Sequence, residues 1–255
     1  MMDAILLAGG VPEPGSPLYP YSKGKPKVAV QIGSKSMAQW VLDALERSSS
    51  IDNIVIVGIE EMREELHSTK ILDFKPAGDD YIHNFQLGAE ALLAHKPEAE
   101  KVALVSCDIP MLTPESVDWV VQTSLESDED LYYCVIEQSQ MEKRFPDSAR
   151  SYVKLRDINV CGGDLGVINL DLYRKKKEFW RKIFEARKSH LHLARLVGFD
   201  FLLLLLLRRL TLEDAVQKVT RRLDITAQGL NCPYPEIGMD IDKPHQLEIA
   251  RRELS

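Results

Sequence analysis

The chain has 255 residues, 45% hydrophobic and 28% charged, and its 32 basic against 39 acidic side chains give a formal net charge of −7. That length holds one large α/β domain, the composition excludes global disorder, and the acidic balance excludes a general nucleic-acid binder, whose phosphate contacts need a basic surface. Cys107, Cys134, Cys161 and Cys232 form no Cys-x-x-Cys pair and read as reduced thiols, and no basic leader precedes the first apolar run, so a cytoplasmic protein is expected.

The first apolar run predicts a strand over 3–8, ending at Gly9-Gly10. Paired glycines there serve either a tight turn or a phosphate cradle, since glycine tolerates positive φ and has no Cβ to hold an anion away. A long, proline-rich loop over 11–25 then delivers Pro26-Lys27. A helix follows over 36–47, a strand over 53–58, and a helix over 82–95 entered through Gly78-Asp-Asp-Tyr-Ile-His-Asn84. The run at 101–107 predicts a strand that stops on Asp108. Thr113 with Pro114 reads as an N-cap and first helical residue, opening a helix over 114–126.

Strands at 131–137, 151–156 and 164–169 complete the alternation, which predicts a three-layer α/β/α arrangement with a mostly parallel sheet. Ligands of such a sheet bind beyond the carboxyl ends of the strands, where Gly9-Gly10 and Asp108 would both lie. After Tyr173 the texture becomes basic, with Arg174-Lys-Lys-Lys177, and then apolar from Phe199 to Leu207. We read 174–222 as a helical insertion within a single domain spanning 1–255. The apolar run falls short of the roughly 20 residues that span a bilayer. It reads as a buried helix or the interface of a homo-oligomer in preference to a segment lying on a membrane. His190 and His192 are two apart, wrong for one helix face, so no metal role is expected. The extended Asp240-Ile-Asp242 precedes a helix over 244–254.

Taken in order, Leu7-Ala-Gly-Gly10, Pro26-Lys-Val28, Cys107-Asp-Ile-Pro110 and Asp240-Ile-Asp-Lys-Pro244 resemble the nucleotidyltransferases of the glycosyltransferase-A-like fold. The resemblance is greatest to the molybdenum cofactor guanylyltransferase and cytidylyltransferase (MobA-like) branch and covers most of the chain outside 174–222. It implies a nucleotide-diphospho-sugar transferase-like sheet. It also implies Mg²⁺-dependent transfer of a nucleoside monophosphate from an NTP to a phosphorylated small-molecule acceptor, with release of pyrophosphate. Asp108 would be a catalytic metal ligand, joined by Asp242 or, failing that, by Asp240. Lys27 would meet charge on the α-phosphate. Leu7, Ala8, Gly9, Gly10, Lys25, Asn84 and Gly88 would contact the nucleotide, and Gly162 and Gly163 the acceptor.

Each residue also has a plainer reading. Asp108 can cap the turn before Pro110, Asp242 can N-cap the last helix, and Lys27 can be a solvated surface lysine. The loop departs from the family pattern as well: relatives carry a compact loop with an arginine, and 11–25 has none. Lys23 or Lys25 would stand in, without arginine's bidentate grip on phosphate. A nucleotide-binding regulator of the same fold, without turnover, is therefore the second reading. A dinucleotide-binding dehydrogenase is disfavoured, because Gly9-Gly10 does not continue into Gly-x-Gly-x-x-Gly.

Overall fold

The computed structural model describes residues 1–175 and 198–254. His190 and His192, and most of the basic stretch that begins at Arg174, lie outside the described residues. The strands are β1 (Met2–Leu7), β2 (Gln31–Ile32), β3 (Lys35–Ser36), β4 (Ile51–Val57) and β5 (Ile71–Lys75), followed by β6 (Lys101–Ser106), β7 (Leu131–Glu137), β8 (Val153–Lys154), β9 (Asn159–Asn169) and β10 (Ala227–Asn231). The main sheet runs in the order β10-β7-β9-β6-β1-β4-β5, with β8 paired to β9, while β2 and β3 form a separate hairpin. β1 lies parallel to β4 and to β6, and β4 to β5. β9 is antiparallel to both β6 and β7, so one reversed strand divides two parallel blocks.

The helices are α1 (Tyr19–Ser22), α2 (Met37–Arg47), α3 (Tyr81–His95), α4 (Pro114–Ser124), α5 (Gln138–Arg144), α6 (Leu170–Lys175), α7 (Phe199–Leu206), α8 (Leu212–Leu223) and α9 (Pro244–Leu254). All six residues of β1 are buried, as a strand covered on both faces requires. Alternation along it sorts the core into two layers. Ala4 and Leu6 join Val41, Leu42, Val117 and Val121 of α2 and α4, whereas Ile5 and Leu7 join Phe85, Ala89 and Leu92 of α3. Capping sets the helix starts: Ser36 accepts from Gln39 N–H at 3.2 Å, Asp80 from His83 N–H, and Thr113 with Ser116 closes a capping box ahead of α4.

Three expectations change here. The strand expected over 151–156 shrinks to the two residues of β8, because Val153 and Lys154 are both exposed and pair only at the sheet's margin. The strand expected over 164–169 begins at Asn159, which puts Gly162 and Gly163 inside a strand rather than on a turn before one. The apolar run after Gly198 is not buried all round: Leu203, Leu206 and Leu207 are 56%, 79% and 52% exposed. Among the described side chains of the run, Phe201, Leu204 and Leu205 pack inward, against Val135, Leu155, Val160 and Leu210.

α8 returns to the sheet, with Leu212 and Val216 lying on Gly229 of β10. Leu204→Glu is therefore expected to lower stability by about 1–3 kcal/mol by forcing a charge against apolar neighbours. Leu206→Glu should change it by no more than about 0.5 kcal/mol. Urea denaturation of the two variants checks the contrast, and equal losses would refute this packing.

Candidate active site

The end of β1 is tied on both sides. Leu7 C=O accepts from Cys107 N–H, and Ala8 N–H donates to Val57 C=O, each at 2.8 Å. Leu7 and Ala8 are thereby buried within the sheet, and the backbone becomes open only at Gly9 and Gly10. Gly10 takes φ +113°, a conformation that any Cβ would strain, and turns the chain outward. The loop that follows closes on itself, since Lys27 N–H donates to Gly10 C=O at 3.0 Å. Lys27 thus opens a 3-10 turn directly beside the glycine pair.

Its ammonium bridges two carboxylates. Nζ donates to Asp108 Oδ2 at 2.5 Å and to Asp242 Oδ1 at 2.8 Å. Ser106 Oγ donates to the other Asp108 oxygen at 2.7 Å. The C-terminal segment is brought here by Ile241 N–H, which donates to Asp108 C=O at 2.9 Å. Residues from 27, 108 and 242 therefore meet at one atom. Burial alone would lower the Lys27 pKa, but Asp108 and then Asp242 outweigh it, and the group is held above the ordinary lysine range.

The cap expected of Asp242 is made by another residue: Gln246 Oε1 accepts from the N–H groups of Asp242 and Lys243, leaving the Asp242 carboxylate to Lys27. Asp240 does not share that direction. Its carboxylate pairs with the Arg150 guanidinium, and the two side chains are 15% and 17% exposed. The two aspartates, interchangeable by spacing, therefore face different cations, Asp240 the guanidinium of Arg150 and Asp242 the ammonium of Lys27. Asp240→Asn leaves a largely buried guanidinium, 17% exposed, without its counter-charge and should cost about 3 kcal/mol. Asp242→Asn, at a side chain 57% exposed, should cost no more than about 1 kcal/mol. Paired urea denaturation curves test this, and the reverse order would be incompatible with the observed pairing.

Other expected contacts are rearranged. Asn84 is buried, with Oδ1 accepting from Gly78 N–H at 2.6 Å and Nδ2 facing Gly9, so it fixes the 78–84 turn against the glycine pair. Gly88 faces the sheet: a Cβ there would lie 2.5 Å from Ile5 Cγ2, so its missing side chain lets α3 settle on β1. Lys25 is exposed on the outer loop, with its N–H donating to Ser22 C=O. Gly162 and Gly163 lie in β9 directly before Asp164, and Gly163 lines the same cavity as Asp164.

Asp164 is the side chain whose importance the sequence did not signal. Val105 pairs with Leu165, so Asp164 falls one step further along β9, toward the Asp108 end of β6. Burial, then the negative charge of Asp108, pushes its pKa up to about 7 against the pull of Arg150 and Lys27. Tyr81, at the start of α3, and Tyr133 of β7 flank the same place. Desolvation followed by the Asp164 charge raises both phenols.

The donors at Lys27 suit a hard divalent cation. They are carboxylate oxygens alone, two in number, converging on one point at the mouth of the sheet, and Mg²⁺ takes one or two carboxylates and completes its shell with water and phosphate oxygens. Among the described residues no cluster of three or more His, Cys, Asp or Glu side chains forms a metal site, so an all-protein cage is not what this centre offers.

The fold is that of nucleotide-diphospho-sugar transferase-like α/β proteins. The profile of the MobA-like NTP transferase domain matches residues 4–222, and the chain belongs to that family. The match takes in the 174–222 segment and stops short of Asp240-Ile-Asp242. Among solved structures, a hypothetical transferase from Thermus thermophilus is 32% identical, with 97% of this chain and 100% of that one aligned at a TM-score of 0.81. Francisella tularensis 2-C-methyl-D-erythritol 4-phosphate cytidylyltransferase is 12% identical over all of both chains, with a TM-score of 0.61. CMP:2-keto-3-deoxy-manno-octonic acid synthetase, solved with CTP, is 14% identical over 100% of this chain and 98% of that one, with a TM-score of 0.59. At these lower identities the likeness is one of fold.

Proposed function

We propose that the protein transfers a nucleoside monophosphate from an NTP to a phosphorylated small-molecule acceptor and releases pyrophosphate. The observation that carries this reading is the single Nζ of Lys27 held between Asp108 and Asp242 beside the open Gly9-Gly10 backbone. Family membership supports the reaction class. Asp108 and Asp242 would hold Mg²⁺, which when bound supplies positive charge to the phosphates.

The chain's own groups do the rest. The Gly9-Gly10 backbone and the cationic Lys27 receive phosphate oxygens, and Lys27 exchanges its carboxylate contacts for the charge that grows on the α-phosphate as pyrophosphate leaves. Ser106 holds the Asp108 carboxylate in orientation. The acceptor phosphate attacks the α-phosphorus in line, so no covalent protein intermediate is needed. Asn84, Gly88 and Lys25 are assigned shaping roles and not nucleotide contacts, and Asp240 is assigned to Arg150. No helix among the described residues is long and apolar enough to cross a membrane, and we place the reaction in the cytoplasm.

Pyrophosphate release with each of the four NTPs, Mg²⁺ and a panel of phosphomonoesters tests the assignment. At least one pair should release pyrophosphate in proportion to enzyme. Saturable NTP binding with no pyrophosphate from any pair would identify a nucleotide-binding regulator, the reading that the arginine-free loop over 11–25 favours.

A further inference from the structure

A cavity of about 330 Å³ opens beside Asp164, away from the loop that carries Lys27. Tyr81 and Tyr133 wall it, Leu104 and Leu131 line its depth, and Gly163 lies in its floor. No Lys, Arg or His among the described residues lines it. The tyrosine wall depends on glycine. The Tyr133 hydroxyl occupies the space that a Cβ at Gly162 would need, and a Cβ at Gly166 would come within 2.6 Å of Tyr132 C=O, so the Tyr133 ring lies flat along β9. The outer edges of both tyrosines reach solvent, 53% exposed for Tyr81 and 49% for Tyr133.

We propose that this cavity receives the body of the acceptor, and that Asp164 makes the protein choose neutral, hydroxyl-bearing bodies over carboxylated ones. The inference rests on the nucleotidyl-transfer reading, since it takes the acceptor's phosphate to sit at Lys27 and its remainder to extend along β9. Size limits the occupant: the volume is at the lower end for small-molecule pockets, enough for a few carbons and too little for a lipid chain or a peptide. Chemistry limits it further. Phenol faces and leucines favour the C–H surface of a ring or short polyol, and an ionised carboxylate only accepts hydrogen bonds, so it asks for hydroxyl or ammonium donors.

The charge balance argues the same way. Asp108 and Asp242 already face Lys27, Asp240 neutralises Arg150, and Asp164 has no cation of its own among the hydrogen bonds and ion pairs described. Arg150 and Lys27 pull on Asp164 only in part, and a second anion placed beside it adds to the repulsion it already has from Asp108 in a half-buried wall, where like charges cost most.

The test is equilibrium binding of two probes that differ only at the end remote from phosphate, glucitol 6-phosphate with a hydroxymethyl and 6-phosphogluconate with a carboxylate. It is run at about pH 8, where Asp164 is ionised. The wild-type protein should prefer glucitol 6-phosphate by roughly ten-fold or more, and Asp164→Asn should shrink the preference to about three-fold or less. Asp164→Glu, which keeps the charge, should retain it and so separates charge from damage to the strand. Equal binding of the two probes, a preference unchanged in Asp164→Asn, or binding of neither probe would each overturn the proposal. NTP binding is followed on the same samples. Its loss alongside the expected probe preference would count against nucleotidyl transfer and not against the cavity.

Discussion

Asp108→Asn should lower nucleotidyl transfer by at least about a hundred-fold, measured as pyrophosphate release at saturating NTP and Mg²⁺. The substitution is nearly isosteric. An amide oxygen can still accept from Ser106 Oγ, and the backbone bond to Ile241 is untouched, so the site keeps its shape. What it loses is a full negative charge at the point where a divalent cation would be held. Asp242 alone, more than half exposed, offers a weak single ligand. Stability should fall by only about 1–2 kcal/mol, because Lys27 retains one of its two carboxylate partners. Near-wild-type turnover of this variant at limiting Mg²⁺ would remove Asp108 from the catalytic assignment.

Lys27→Ala should reduce kcat by about a hundred-fold while moving the KM for NTP by about three-fold or less. The asymmetry follows from where the ammonium stands. In the free protein it is engaged by Asp108 and Asp242, so its exchange to the α-phosphate gains most when that phosphate carries its greatest charge. A KM effect with unchanged kcat would make Lys27 a ground-state contact, and a large kcat loss from Lys25→Ala in its place would shift the register of the loop. The pH dependence has a definite sign. A lysine whose folded-state pKa is raised contributes stability that is fully present below its unfolded value and is lost only as pH climbs through the folded one. The stability difference between wild type and Lys27→Ala should therefore stay constant from acid-neutral to mildly alkaline pH and close only at strongly alkaline pH.

The parts of this site legible in the sequence are those set by local chemistry. An apolar run ending in two glycines, another ending in Asp108, and Thr-Pro at a helix start each bear their geometry in a few consecutive residues, and the structure places them where parallel-sheet logic expects. The last helix is legible for the same reason, beginning at Pro244 and closing at Leu254.

What escaped is what pairing decides. β10 buries only Leu230 of its five residues, so nothing in Ala-Gln-Gly-Leu-Asn announces a strand until β7 is beside it. The two aspartates of Asp240-Ile-Asp242 look interchangeable in sequence and are separated by partners 90 and 215 positions away, Arg150 and Lys27. Gly88 shows why a motif position is not yet a contact: its missing side chain serves helix-to-sheet packing, which sequence spacing cannot distinguish from ligand approach. Asp164 was hidden for a related reason. Its chemistry comes from burial and from Asp108, neither visible in Cys-Gly-Gly-Asp.

The reversed strand β9 has a consequence for how such a protein can change. Gly9, Gly10, Lys27 and Asp108 are all encoded before residue 109, on the side of β1 and β6, while Tyr133 and Asp164 come later and lie on β7 and β9; Tyr81 and Leu104 of the cavity and Asp242 beside Lys27 are the members that cross this division. The seam between β6 and β9 is therefore also a boundary in the coding order. Substitutions or exchanged segments downstream of it can remake the Tyr133 and Asp164 side of the cavity while the glycine turn, the lysine and Asp108 are inherited intact. Across a lineage, choice of partner molecule and the phosphate chemistry can then drift at separate rates, with the short Ile241 link to Asp108 as the tether that keeps the two halves in step.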